Sequence, residues 1–264
     1  MSIHEDRDRL YDTIESEGRR LAELVRNVQN PDAIAVGRWN ERELADHLSL
    51  MGPMFADFAR DAGPASADAT KIEQRYESLG QGRGAGRPMS EMADLLQQGI
   101  DGFVVEARRA EPDRVVTWHG GAQLTLPQLG GILMGEIFAH GIDMATAEGT
   151  TWEVPHEQAV WLVEGTIPVL PLFVDRPAAA GFSGTFDINL RRGPRMYLAF
   201  RDGELKVEAS ATSVDCHINA DPVDFVLVSY GRRSQWNSIL RGKILAYGRK
   251  PWLGLKLNSL LLNP

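Results

Sequence analysis

Glu136 and His140, four residues apart in the stretch GEIFAHGIDMATA (135–147), are the side chains of this 264-residue chain best spaced to do chemistry. On a helix that spacing puts a carboxylate oxygen and an imidazole nitrogen one turn apart on one face, within reach of a single divalent ion. An arbitrary pair of this kind is as readily a surface ion pair. Here Met134, Ile137 and Phe138 make the helix apolar over much of its circumference, and a polar pair on a largely buried helix needs a partner. A metal ion serves both members at once. Asp143 follows on the same side, placed to orient a ligand histidine or take part in proton transfer, or else to stand as a solvent-facing or capping aspartate. Far upstream, His47 in NERELADHLSLMG (40–52) shares a stripe with Leu44, Leu48 and Met51. A histidine there is a satisfied core residue or a third ligand, and two antiparallel helices of a bundle can bring it onto Glu136 and His140.

The elements that must position these residues are legible as periodicity. Leu10, Ile14, Leu21, Leu24, Val25 and Val28 recur at helical spacing among charged residues, predicting an amphipathic helix over about 4–28 that ends before Asn30 and Pro31. Asn40 followed three residues later by Glu43 predicts a capping box at the start of the helix carrying His47. A glycine-rich connection, GQGRGAGRP (80–88), lacks the preceding strand and following Lys-Ser/Thr of a phosphate loop. Ser90 is the expected cap of a third helix, whose buried face is Met92, Leu95, Leu96, Ile100, Phe103 and Val104. The TWHGG turn (117–121) leads into the fourth, where Thr125 can cap and Pro127 can enter the first turn.

One more apolar helix is expected over about 156–173, after which the pattern changes. TFDINL, RMYLAF, LKVEAS and VDCHIN alternate apolar and polar residues between turn signals, RDGE (201–204) being the clearest, and predict an antiparallel sheet. A helix over 222–230 follows. The Pro/Ala/Gly-rich stretch DRPAAAGFSG (175–184) places the expected boundary, giving a helical domain over 1–175 and a smaller α+β domain over 176–264.

A net charge of −8 argues against a nucleic-acid partner, which needs a basic face. The single cysteine, Cys216, excludes an internal disulfide, fits a reducing compartment and reads as core packing on an alternating strand. No run approaches 18 apolar residues and the opening MSIHEDRDRL is charged, so neither a membrane span nor a secretion signal is expected. The expectation is a cytoplasmic, monomeric protein with no membrane partner.

The segments 39–48 (WNERELADHL) and 135–145 (GEIFAHGIDMA) resemble the two signatures of the mycothiol-dependent maleylpyruvate isomerases, which belong to the DinB-like helical bundles. The resemblance implies an α+β chain, a DinB-like four-helix bundle followed by a smaller domain. That domain, from VDCHINADPVDFVLVSYGRR through ILRGKILAYG, is similar to the sterol-carrier-like domain that often follows such a bundle. The family's metal ligands map onto His47, Glu136 and His140, and the implied thiol cosubstrate is mycothiol. Three protein ligands leave open positions on a zinc-like ion, where a thiol can be held as thiolate. The mixed nitrogen and oxygen set suits zinc but also accepts nickel, cobalt, manganese or iron. Added to the cis double bond of a small electrophile such as maleylpyruvate, the thiolate permits rotation and leaves again in an isomerase; in an S-transferase the adduct is released. Arg232 either pairs with a substrate carboxylate, as the resemblance implies, or is a helix C-terminal arginine favoured by the macrodipole. Two other readings stand beside these. The smaller domain can be a carrier of apolar ligands, with TIPVLPLFV (166–174) or the leucine-rich end lining a groove, or the metal can activate water in a thiol-independent hydrolase.

Overall fold

The computed structural model describes residues 2–63, 65–67 and 86–262. Most of the glycine-rich connection at 80–88 lies outside the described residues. The chain divides into two compact units, Met1–Glu153 and Val154–Pro264.

The first unit is helical. It comprises α1 (Arg7–Arg26), a ribbon of β1 (Ile34–Val36) and β2 (Trp39–Asn40), α2 (Glu41–Ala59), α3 (Met89–Arg109), a second ribbon of β3 (Val115–Thr117) and β4 (Gln123–Thr125), and α4 (Leu126–Ala147). The two helices that carry the candidate site both begin with the capping boxes that their sequences call for. The Asn40 carboxamide accepts from the Glu43 N–H at 2.9 Å while Glu43 accepts from the Asn40 N–H at 3.0 Å. Thr125 and Gln128 satisfy each other in the same way at the head of α4. α3 differs from expectation. It starts at Met89 with Pro88 as its cap and no side-chain capping bond, because the Pro88 carbonyl itself receives the Glu91 and Met92 N–H groups at 3.0 and 3.2 Å.

Most of the stripes read from the sequence form the core of this unit: Leu10, Ile14 and Leu21 of α1, Leu44 and Leu48 of α2, Leu96, Ile100 and Phe103 of α3, and Leu129, Leu133 and Ile137 of α4 are all fully buried, whereas Leu24, Val28 and Leu95, at the margins of their stripes, are only half-buried. Each side chain so removed from water stabilises the unit by about 1.5–3 kcal/mol before its entropy cost. Helices α2 and α3 meet backbone to backbone. A Cβ added to Gly99 would lie 2.1 Å from the Gly52 carbonyl carbon and the Pro53 nitrogen, so only glycine permits this crossing, one turn beyond His47.

The second unit opens with α5 (His156–Thr166), which packs on α6 (Pro222–Ser229) of the same unit. The observed division therefore falls earlier than a boundary at 175/176. The apolar run after Thr166 also leaves the α-helical path, since Pro168 and Pro171 cannot donate backbone bonds and Ile167–Phe173 tightens into 3-10 turns. A five-stranded sheet follows, of β5 (Gly184–Leu190), β6 (Arg195–Arg201), β7 (Glu204–Glu208), β8 (Cys216–Ala220) and β9 (Ile244–Tyr247), in the order β7-β6-β5-β8-β9. The RDGE hairpin forms with Asp202 and Gly203 at φ 51° and 85°, as a tight primed turn requires. The sheet is mixed rather than antiparallel, because β8 returns to the far side of β5 and runs parallel to it, Phe186 opposite Cys216 through Leu190 opposite Ala220. The two-residue alternation is the same in both kinds of pairing, so the pattern alone does not distinguish them. Phe186, Ile188, Leu198, Phe200 and Ile218 supply the sheet's buried face. α6 and the short α7 (Gln235–Leu240) connect β8 to β9. No described helix is long and apolar enough to cross a membrane.

Candidate metal centre

The bundle brings His47 of α2 onto Glu136 and His140 of α4. The Glu136 Oε2 atom lies 3.3 Å from His140 Nε2 and 3.8 Å from His47 Nε2. One donor atom from each of the three falls within 4.8 Å of the others. An ion with bonds of about 2.1 Å to tetrahedrally arranged N and O ligands sets those ligands about 3.4 Å apart, so the cluster matches such a site with small adjustments. All three side chains are half-buried, sheltered from bulk water yet not sealed from it.

The protonation of the cluster follows from who faces whom. Burial works against charge on Glu136, but hydrogen bonding to His140 and His47 prevails and holds its carboxyl well below the usual carboxylate range. Burial likewise disfavours the imidazolium of His140, and the hydrogen bonds and charges of Asp143 and Glu136 overcome it, pushing the group up to about 9. At His47 burial outweighs the nearby carboxylate and the pKa falls. At neutral pH the metal-free cluster thus carries one proton on His140 between two carboxylates, beside a neutral His47. Filling the site with a cation means displacing that proton.

Asp143 is buried, not solvent-facing, and its Oδ2 stands 3.3 Å from His140 Nδ1. That is the arrangement by which a carboxylate fixes the ring and tautomer of a ligand histidine, leaving Nε2 for the ion. Gly141 lets the Trp152 indole lie directly against the helix beside His140, where a Cβ would come within 2.6 Å of the ring, and the Arg20 guanidinium covers that indole at 4.0 Å. Trp39 opens the 39–48 segment that resembles the family signature. Its ring sits 5.2 Å from that of His47, tilted by 44°, as a wall of the site. The Gly37-Arg38 turn, with a positive φ at Gly37, closes a ribbon that pairs Val36 with Trp39 over the head of α2.

Arg232 belongs to the second unit, just past α6, where its guanidinium donates to the Tyr230 carbonyl. This is the contact expected of an arginine at a helix C-terminus. His119 is buried in the turn that carries it, its Nδ1 accepting from the Ser66 N–H at 2.9 Å. Cys216 is buried under Gly254, and burial pushes its thiol up, as befits packing rather than reactivity.

A helical bundle followed by an α+β unit is an architecture with solved counterparts. Crystal structures of the mycothiol-dependent maleylpyruvate isomerase and of one of its point mutants share it, at 13% and 12% identity, each with a TM-score of 0.58, 93% of this chain and 95% of theirs being covered. Identity that low establishes the fold. The model of the mycothiol maleylpyruvate isomerase N-terminal domain matches residues 12–145, and the chain belongs to that family. No curated protein sequence matches the chain.

Proposed function

We propose that this protein uses a divalent metal, held by His47, Glu136 and His140, to present mycothiol as a thiolate to an electrophilic small molecule of the maleylpyruvate type. The single observation that carries the reading is the convergence of three donors from two helices on one point, with Asp143 behind His140. Family membership supports the choice of thiol, and the mixed imidazole and carboxylate donor set suits zinc. A metal in this place supplies a cation that lowers the pKa of a thiol into the neutral range.

The chain's own residues account for the rest. Glu136 is anionic at every pH near neutrality and offsets the charge of the cation. Asp143 keeps His140 in the tautomer whose Nε2 faces the cluster. Trp39 walls one side and limits water there. Bound there, mycothiol would supply a sulfur nucleophile that adds to one carbon of the substrate's cis double bond, lets the resulting single bond rotate and leaves again as the trans double bond forms, so the thiol would be regenerated. Arg232 is proposed to pair with a substrate carboxylate, the part played by an arginine of the smaller domain in the resemblance.

The test is maleylpyruvate isomerisation by purified chain loaded with zinc, with and without mycothiol, beside the His47→Ala, Glu136→Ala and His140→Ala variants. Turnover that needs both mycothiol and bound metal, and is lost in each variant, is expected. Turnover by a variant without metal refutes the mechanism. Release of a stable thiol adduct would identify an S-transferase instead.

A further inference from the structure

From Gly231 to the C-terminus the chain carries seven Arg and Lys and no Asp or Glu, against a net charge of −8 for the whole. Six of the segment's seven exposed large apolar residues are Trp236, Leu240, Leu245, Tyr247, Trp252 and Leu255, the seventh being Leu262 near the end of the chain. Trp236 and Leu240 stand one turn apart on α7 at 56% and 87% exposure, and Trp252 is 62% exposed on the 3-10 turn Pro251–Leu255. β9, between them, is the edge of the sheet and packs against both α7 and that turn, so the six form one neighbourhood. A monomeric surface does not ordinarily gather two tryptophans and a nearly bare leucine in one place.

Charge selects the occupant. Asp224, Asp221 and Asp215 reach in from outside the segment and pair with Arg233 at 2.9 Å, Lys243 at 3.2 Å, and Arg249 and Lys250. The balance stays positive, and Arg241 and Lys256 are exposed without an acidic partner among the described residues, flanking the apolar tips. A second copy docked edge to edge through β9 would set these cations against their own images, which is unfavourable. Leu240, Leu245 and Leu255 offer nothing to a phosphate or a base, which argues against nucleic acid. Indoles and leucines projecting between cations are the composition that seats in the headgroup layer of an anionic bilayer.

We infer that this corner of the second unit is a peripheral docking surface for anionic lipid membranes, with Trp236, Leu240 and Trp252 entering the headgroup region. A contact of this kind needs no membrane-spanning helix, and it revises the sequence expectation that the chain has no membrane partner.

The experiment is co-sedimentation of the full chain with vesicles of phosphatidylglycerol and phosphatidylcholine in equal parts, and with phosphatidylcholine alone. Binding at least tenfold tighter to the anionic vesicles is expected, falling in 0.5 M salt and falling tenfold or more in the double variant Leu240→Glu, Trp252→Glu. Arg241→Glu, a fully surface change, guards against misfolding of the double variant and is expected to narrow the preference for anionic vesicles. No binding to anionic vesicles, or equal binding by all variants, overturns the proposal. So does a single-stranded oligonucleotide, or a second copy in a concentration-dependent sedimentation run, engaging this surface while vesicles do not.

Discussion

Replacing Asp143 by Asn keeps the shape of the side chain beside His140 and removes its charge, which isolates what that carboxylate contributes. In the metal-free protein His140 is raised from 6.5 to about 9 against the pull of burial, with Asp143 first among the groups that raise it. Losing the charge must therefore lower the His140 pKa. Carboxylates behind ligand histidines are worth about 10–100-fold in metal affinity, or about 1.4–2.8 kcal/mol. The full loss will not show at neutral pH. At pH 7 the wild-type site first has to give up a proton held at about 9, a handicap of about 100-fold that the variant partly escapes. The defect of Asp143→Asn is thus small near pH 7 and widens toward the full 10–100-fold above pH 9. Competition against a chromophoric zinc chelator at pH 7.0 and 9.5 reads this directly, with imidazole NMR titration of the metal-free protein following His140. Equal zinc affinity of variant and wild type at pH 9.5, or an unmoved His140 titration, refutes the role given to Asp143.

Other expectations follow from the same geometry. Zinc affinity of the wild type should climb about tenfold per pH unit from 7 and level off above about 9, since the proton displaced is that of His140; chelator competition showing a flat profile would contradict it. Because this group's folded pKa is raised, the stability it lends the metal-free protein is whole below pH 6.5 and fades as pH rises to about 9, a decline of about 3 kcal/mol measurable by urea titration. Gly99→Ala should cost about 3 kcal/mol, because its Cβ would press at 2.1 Å on the backbone of α2, and a Tm unchanged from wild type would count against the close crossing. Asn40→Ala should lower stability by about 1 kcal/mol through loss of the α2 cap.

The candidate site was legible because its parts are local. A helical period fixes which residues share a face, so Glu136 and His140 could be paired from spacing, and the capping boxes at Asn40 and Thr125 announced both helices that carry the cluster. Bringing His47 to that pair required only that two apolar stripes face each other. What stayed hidden depends on neighbours distant in sequence. The burial of Asp143 is decided by packing around α4, and the indole of Trp39 reaches His47 through a ribbon whose strands are two and three residues long, too short to show a period. Ser90 has the residue type of a cap, while Pro88, with no N–H to donate and an extended ψ of 146°, stands at the start of α3. The parallel pairing of β5 with β8 and the allegiance of α5 to the second unit are likewise long-range choices, on which an alternating or apolar run is silent.

The most direct test of the central claim is the visible spectrum of the cobalt-substituted protein before and after mycothiol is added. The account predicts that one equivalent of cobalt binds in a low-symmetry site, and that mycothiol generates a sulfur-to-cobalt charge-transfer band, which His140→Ala abolishes. Cobalt that fails to bind, or a bound ion whose spectrum ignores mycothiol, would contradict it.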